Sequence, residues 1–125
     1  MTRKLRTTAR ILLGIYLVAV LTLCVINLSS MPEVPTTFLG IELDKVAHFL
    51  MFLPLPVLFY LSFDGKAVAI IGASILAGLT LAGTTEWIQS FLTYRSMDLD
   101  DFFADIIGLL SGAALTGIFV ALRKK

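Results

Sequence analysis

A chain of 125 residues provides material for one domain, and 58% of its residues are hydrophobic while only 15% are charged. Soluble domains usually carry about 25% charged residues, so this composition excludes an ordinary soluble fold and favours an integral membrane protein. The single cysteine, Cys24, excludes an intrachain disulfide and is interpreted as a small apolar residue within a span.

The first predicted span covers residues 9–28, which carry no charge after Arg10. A helix rises about 1.5 Å per residue, so this run would be about 30 Å long, the thickness of the hydrocarbon core. Basic residues precede the run, as they do in a signal peptide. The run is longer than the apolar part of a typical signal peptide and no A-x-A cleavage site follows. We therefore expect an uncleaved anchor.

The second predicted span covers residues 46–63 and contains Pro54 and Pro56. Each proline removes a backbone donor, so the helix should bend here. In a bilayer the freed carbonyls need other partners, so we expect this region to pack against protein. The preceding loop, residues 29–43, is predicted to be irregular and is too short for a domain.

The third and fourth predicted spans cover residues 67–86 and 102–122. Both contain small residues that allow close helix packing in a membrane. The glycines expected at helix contacts are Gly72, Gly78, Gly108 and Gly112. The sequence thus predicts a single all-α domain over residues 1–125, built as a bundle of four transmembrane helices.

The basic residues are sorted to one side of these four spans. Eight of the ten Lys and Arg residues would lie on the side of the N-terminus: Arg3, Lys4, Arg6, Arg10, Lys66, Arg123, Lys124 and Lys125. Only Lys45 and Arg95 would lie on the other side. The positive-inside rule therefore predicts a multi-pass inner-membrane protein with both termini in the cytoplasm.

The acidic residues are sorted in the opposite way, with only Asp64 on the cytoplasmic side. The acids expected at or near the outer face are Glu33, Glu42, Asp44, Glu86, Asp98, Asp100, Asp101 and Asp105. Asp44 and His48 are four residues apart, and Glu86 and Gln89 are three apart, so each pair would share a helix face. These segments locate a candidate site at the outer end of the bundle.

A stripe of the fourth span carries Asp98, Asp101 and Asp105 and continues through Gly108 to Gly112. The carboxylates and the packing glycines should therefore face the interior of the bundle together. Acids near the start of this helix can serve as caps that complement its dipole. Asp105 lies about 10 Å beyond Asp98, past the first turn, so we expect it to belong to a polar network or a functional site.

The other polar residues of this constellation each have two interpretations. Lys45 and Arg95 could form ion pairs with the surrounding acids, or they could bind an anionic lipid headgroup. His48 could act as a general base or metal ligand, although a lone histidine more often makes a structural hydrogen bond. No H-x-x-x-H or H-x-x-x-E spacing supports a metal, so we expect no metal ion and no cofactor.

The ordered combination of these motifs resembles the VanZ-like family of bacterial membrane proteins. The matching pattern is D-K-x-x-H-F, then E-x-x-Q, then R-x-x-D-x-x-D-x-x-x-(N/D)-x-x-G-x-x-x-G. The matching residues are Asp44, Lys45, His48, Phe49, Glu86, Gln89, Arg95, Asp98, Asp101, Asp105, Gly108 and Gly112. Many members carry Asn where this chain has Asp105. The resemblance implies a role at the cell envelope, since the family is named after a protein associated with teicoplanin resistance.

Three functions are compatible with these observations. The favoured one is a non-catalytic envelope protein that recognises a lipid-linked component or influences glycopeptide susceptibility. The second is an intramembrane enzyme acting on a phospholipid or polyprenyl-linked substrate, with His48, Glu86 and Asp105 as candidate catalytic residues. The third is a subunit of an oligomeric transporter. The expected partners are membrane lipids and further copies of the chain, with no nucleic acid.

Overall fold

The computed structural model describes residues 2–25, 37–38, 41–91 and 99–123. Along this part of the chain the helices are α1 (Arg3–Val25), α2 (Leu43–Phe52), α3 (Leu55–Ser62), α4 (Ala67–Gln89) and α5 (Leu99–Arg123). Because α2 and α3 together form one span, the described helices provide four segments long and apolar enough to cross a membrane. The predicted all-α bundle of four transmembrane helices is confirmed.

The helices extend beyond several of the predicted span boundaries. Helix α1 begins at Arg3 rather than at residue 9, α4 ends at Gln89 rather than at residue 86, and α5 begins at Leu99 rather than at residue 102. The predicted boundaries followed the apolar segment alone. A helix continues into its polar flanks for as long as its backbone hydrogen bonds form, so its ends need not coincide with the hydrocarbon boundary.

The loop between the first two spans contains a short strand pair. Strands β1 (Thr37–Phe38) and β2 (Ile41–Glu42) pair antiparallel, with Thr37 opposite Glu42 and Phe38 opposite Ile41. The prediction of an irregular loop is therefore wrong for these four residues. Such a short ladder leaves almost no sequence pattern, since a strand signal needs several alternating residues.

The second span breaks at its prolines, as predicted. Helix α2 ends at Phe52, and Pro54 is the N-cap of α3, with Pro56 in the first turn of that helix. Proline is well tolerated in a first turn, because the missing N–H would have no intrahelical acceptor there. The hydroxyl of Tyr16 on α1 donates a hydrogen bond to the Met51 carbonyl in the last turn of α2. A side chain of another span thus caps a carbonyl beside the break.

Two glycines of α5 allow close contact with the backbone of the second span. A Cβ atom at Gly108 would overlap the Phe49 carbonyl oxygen, and one at Gly112 would overlap the Leu53 carbonyl oxygen. On α4, a Cβ atom at Gly78 would overlap the side chain of Leu109. These three glycines therefore lie at contacts between helices, where the absence of a side chain permits the close approach.

The prediction for Gly72 is wrong. This residue is exposed, and a Cβ atom added to it would have no neighbour within 4 Å. Gly72 and Gly78 are six residues apart, which turns them about 120° away from one another around α4. Since Gly78 faces α5, Gly72 faces the outside of the bundle.

The core contains one buried apolar residue from each helix. These residues are Leu13, Phe52, Leu55, Ala82 and Leu109. The outer faces of the helices carry large exposed apolar side chains, including Ile15, Val68, Leu76, Ile107 and Ile118. Polar hydroxyls on this exterior bond to their own helix. Thr22, Thr80 and Thr84 each donate to the carbonyl four residues earlier, at 2.7–2.9 Å. The exterior is therefore suited to hydrocarbon.

The glycine contact can be tested by adding a single methyl group. Gly108→Ala should lower the free energy of unfolding by about 2–3 kcal/mol, because its Cβ meets a backbone carbonyl rather than a flexible side chain. Gly117→Ala on the same helix is the matched control, since its Cβ would meet nothing within 4 Å. Unfolding in detergent, followed by circular dichroism, compares the two. Equal stabilities for the two variants would contradict the close contact.

Candidate functional site

The two ends of the bundle differ in their polar residues. Arg6 pairs with Asp64 at 3.3 Å, and the Arg10 Nε donates to the Ser62 carbonyl at 2.8 Å. These contacts join the start of α1 to the turn between α3 and α4, at what we call the basic end. The opposite end, which we call the polar end, carries a set of side chains that we call the polar cluster. Five of them are buried and Lys45 is half-buried: Lys45, His48, Glu86, Gln89, Asp101 and Asp105.

A continuous chain of polar contacts links α2 to α5 in the polar cluster. The Lys45 Nζ lies 2.7 Å from Asp101 Oδ1, and Asp101 Oδ2 lies 3.6 Å from the His48 Nε2. The other imidazole nitrogen, Nδ1, lies 2.6 Å from Asp105 Oδ1. Lys45 and His48 are three residues apart on α2, and Asp101 and Asp105 are four apart on α5. Each helix therefore presents two polar groups on one face.

Helix α4 contributes Glu86 and Gln89 to the polar cluster. Both side chains are buried, and their spacing of three residues puts them on one face of the helix. One carboxylate oxygen of Glu86, one nitrogen of His48 and one oxygen of Asp105 all lie within 4.8 Å of one another. These three residues, which are the candidate catalytic residues, are thus brought together from three different helices and form the one group in the described chain suited to a metal ion.

The polar cluster is buried below the ends of its helices. Asp105 is fully buried, and His48 is 4% exposed. Asp105 follows the first residue of α5 by six positions and His48 follows that of α2 by five, which puts both about 7–9 Å inside the bundle. Ionised groups at such a depth are costly unless they are paired or hydrated. The contacts of His48 with two carboxylates provide such pairing.

A comparison with known families classifies the chain. Residues 10–120 match the family described as VanZ/LLP1. The chain belongs to the VanZ/LLP1 family. The resemblance inferred from the ordered motifs is confirmed, and together with the four apolar spans it identifies a multi-pass membrane protein.

One relative of this VanZ/LLP1 chain is an uncharacterized protein of Schizosaccharomyces pombe. The two are 39% identical over 70 residues, which cover 52% of this chain and 41% of the relative. The chain thus matches less than half the length of that protein. Because the relative comes from a fission yeast, proteins of this kind are not confined to bacteria. No solved structure matches the chain.

Within the described residues, the predicted stripe of α5 faces the interior of the VanZ/LLP1 bundle, and its first predicted member, Asp98, lies outside them. Asp101, Asp105, Gly108 and Gly112 are all buried on one face of the helix. Asp100 is exposed in the first turn, as expected of a residue that complements the helix dipole. The structure therefore distinguishes two adjacent acids, because Asp100 is exposed and Asp101 is buried. The sequence alone does not predict which of them faces the interior.

Some predicted site residues lie outside the described part of the chain. These are Arg95 and Asp98, so the possible ion pairs of Arg95 with the surrounding acids lie outside the described residues. Asp44 lies in α2, four residues before His48, but its side chain is not described. Lys45, the other basic residue, pairs with Asp101.

Several polar residues inside the bundle were not identified from the sequence, among them Thr85, which is buried, and Tyr16, which is half-buried. Thr85 lies beside Glu86 and donates to the Ala82 carbonyl at 3.0 Å. Tyr16 donates to Met51, as described above. A tyrosine in the middle of an apolar span is a usable signal, because a buried hydroxyl needs an acceptor and a broken helix offers one.

The contact between His48 and Asp105 can be measured by a double-mutant cycle. His48→Gln and Asp105→Asn should each destabilise the bundle, and the double variant should lose about 1–2 kcal/mol less than the sum, because the two changes remove one shared contact. Asp100→Asn with His48→Gln is the control cycle and should be additive within about 0.5 kcal/mol. Unfolding in detergent supplies the free energies. Additivity in the first cycle would argue that the two side chains do not interact.

Proposed function

We propose that this VanZ/LLP1 chain acts at the cell envelope of a bacterium, where its polar end binds the headgroup of a lipid-linked component. The observation that supports this most is the buried polar cluster, which joins α2, α4 and α5 at one end of an apolar bundle. Apolar side chains could hold these helices together without the cost of burying charge. Ionisable groups within a membrane protein more often serve a ligand or a transfer step.

The chemistry of the polar end suits a headgroup that combines phosphate with hydroxyl or amide groups. Lys45 and Arg95 are cations that can pair with phosphate oxygens. The carboxylates of the polar cluster accept hydrogen bonds from hydroxyl and amide donors, and the Gln89 amide can both donate and accept. Lipid-linked envelope intermediates carry both kinds of group, whereas a simple fatty acid carries neither sugar hydroxyls nor amides.

An apolar groove supports a ligand that enters from the bilayer. It lies between the second span and α5, with a volume of about 490 Å³, and its lining includes Leu50, Leu53, Val57, Leu115 and Phe119. Leu50 lies about 3 Å from His48 along the axis of α2, although on a different face of the helix. A hydrocarbon chain lying in this groove would therefore have its headgroup near the level of the polar cluster. Binding of this kind would influence glycopeptide susceptibility by changing access of the antibiotic to a lipid-linked target.

Lys45 provides the test of headgroup binding. Lys45→Ala should weaken binding of a lipid-linked intermediate at least about tenfold, since a charge-assisted contact to phosphate is worth roughly 1.5–3 kcal/mol. Lys66→Ala removes the same charge at the basic end and is the matched control. Native mass spectrometry of purified protein with a graded panel of phospholipids and polyprenyl-linked lipids measures both. Equal affinities in the two variants would contradict a headgroup site at the polar end.

We further propose that both termini lie in the cytoplasm, with the polar end on the outer side. The support is the placement of eight of ten basic residues on the side of the N-terminus. In a Cys24→Ser background, Asp100→Cys should react with an impermeant maleimide in intact spheroplasts, whereas Asp64→Cys should react only after lysis. Asp100 and Asp64 lie at opposite ends of the bundle and both are exposed. A difference in labelling between them therefore reports the side of the membrane and not burial. The reverse pattern would invert the proposed topology.

An intramembrane enzyme is the second candidate, and the contact between His48 and Asp105 favours it. A carboxylate that holds one imidazole nitrogen orients the ring, which is the arrangement of a general base. The substrate would be a phospholipid or a polyprenyl-linked lipid. The lipid panel above distinguishes the two functions. Recovery of chemically changed lipid that depends on His48 would favour the enzyme, and recovery of unchanged bound lipid would favour binding alone.

A further inference from the structure

We infer that His48, Glu86 and Asp105 form a binding site for a divalent first-row metal ion such as Mn²⁺ or Zn²⁺. This inference concerns the polar end but does not depend on headgroup binding. It starts from the convergence of one imidazole and two carboxylates from α2, α4 and α5, all three buried. Exposed acids often lie near one another by chance. Three buried potential ligands on three separate helices require the tertiary fold to bring them together.

The spacing of these groups is close to that of a metal coordination shell. Bonds of about 2.1 Å put neighbouring ligand atoms of an octahedral ion about 3.0 Å apart and opposite ones about 4.2 Å apart. The ligand atoms of His48, Glu86 and Asp105 all lie within 4.8 Å of one another. Side-chain rotations that move each ligand atom by a few tenths of an ångström would therefore bring the three atoms to coordination distances, without a shift of the helices.

The contact between His48 Nδ1 and Asp105 Oδ1, at 2.6 Å, is shorter than the edge of such a shell. At this distance a hydrogen bond joins the two atoms, and its proton lies between ligands where a metal ion would lie. Binding of the metal to Nδ1 should therefore displace this proton and open the pair to about 3 Å. The displaced proton passes to Nε2, beside Asp101, when the imidazole is neutral, and leaves the protein when the imidazole is protonated on both nitrogens.

The charge of the polar cluster favours a cation. Its three carboxylates, Glu86, Asp101 and Asp105, face one ammonium, that of Lys45, and one imidazole. The whole predicted outer side is similarly unbalanced, with eight acids against Lys45 and Arg95. Excess negative charge in a medium of low dielectric constant is costly, and a divalent ion neutralises it.

The types of ligand narrow the choice of metal. Mg²⁺ and Ca²⁺ favour sites made of oxygen alone, whereas imidazole nitrogen suits Zn²⁺ and the later first-row ions. One nitrogen with two carboxylate oxygens fits Mn²⁺ or Zn²⁺, with water completing the shell. The second carboxylate of α5, Asp101, lies 3.6 Å from His48 Nε2 and could orient the ring once Nδ1 is bound to metal.

The experiment uses the full chain in nanodiscs, purified with a tag that contains no histidine. Because His48 is the only histidine of the chain, a nitrogen coupling to bound Mn²⁺ in pulsed EPR would assign the imidazole as a ligand. We expect one Mn²⁺ per chain, displaced by Zn²⁺. Absence of the nitrogen coupling, or binding no greater than that of empty nanodiscs, would overturn the inference.

Variants provide a second, independent test. Glu86→Gln and Asp105→Asn should each weaken Mn²⁺ binding at least about tenfold, as expected for loss of a ligand. Asp100→Asn is the matched control, because it removes an exposed acid from the same helix as Asp105, and its affinity should stay within about twofold. Equal loss in all three variants would mean that acidic surface charge attracts the ion, which would refute a built site. The nitrogen signal is measured on the chain without substitutions. Misfolding of a variant therefore does not affect that test.

Discussion

The close contact of α5 with the second span is the constraint on which the candidate site depends. At Gly108 and Gly112 the backbone of α5 approaches the carbonyl oxygens of Phe49 and Leu53. Any other residue at these two positions would carry a Cβ atom that overlaps a carbonyl oxygen. Asp105 lies on the same face, one turn before Gly108. The approach of the two backbones therefore determines how far Asp105 is from His48, and a short polar contact follows from a packing feature.

The break in the second span has a related consequence. Because α2 and α3 are separated at Pro54, α2 packs mainly along α5, whereas α3 also contacts α1 and α4. A straight helix could not pack against all three neighbours in this way. The exposed carbonyl beside the break would be unfavourable in hydrocarbon, and the Tyr16 hydroxyl from α1 satisfies it. The prolines of the second span thus break the helix, and the tyrosine of the first span satisfies a carbonyl beside that break.

The exterior of the spans is apolar, unlike the surface of a soluble helical protein, and some ionisable side chains are buried in the interior. Thr80 and Thr84 on the exterior keep their hydroxyls bonded to their own helix. The buried ionisable groups of the described residues lie at one end, among α2, α4 and α5. Membership of the VanZ/LLP1 family and the four apolar spans together identify a multi-pass membrane protein. Headgroup recognition, catalysis and metal binding would all act through the same buried groups.

The sequence by itself determined the number of spans, the bend at the prolines and the inward stripe of α5. These features follow from the length of apolar runs and from the period of one helix, which are local properties. Only the tertiary structure decided that Lys45 contacts Asp101, and that Gly78 packs whereas Gly72 faces outward. These contacts depend on which faces of separate helices meet. The periodicity of each helix defines its own faces but does not predict how one helix is rotated relative to another.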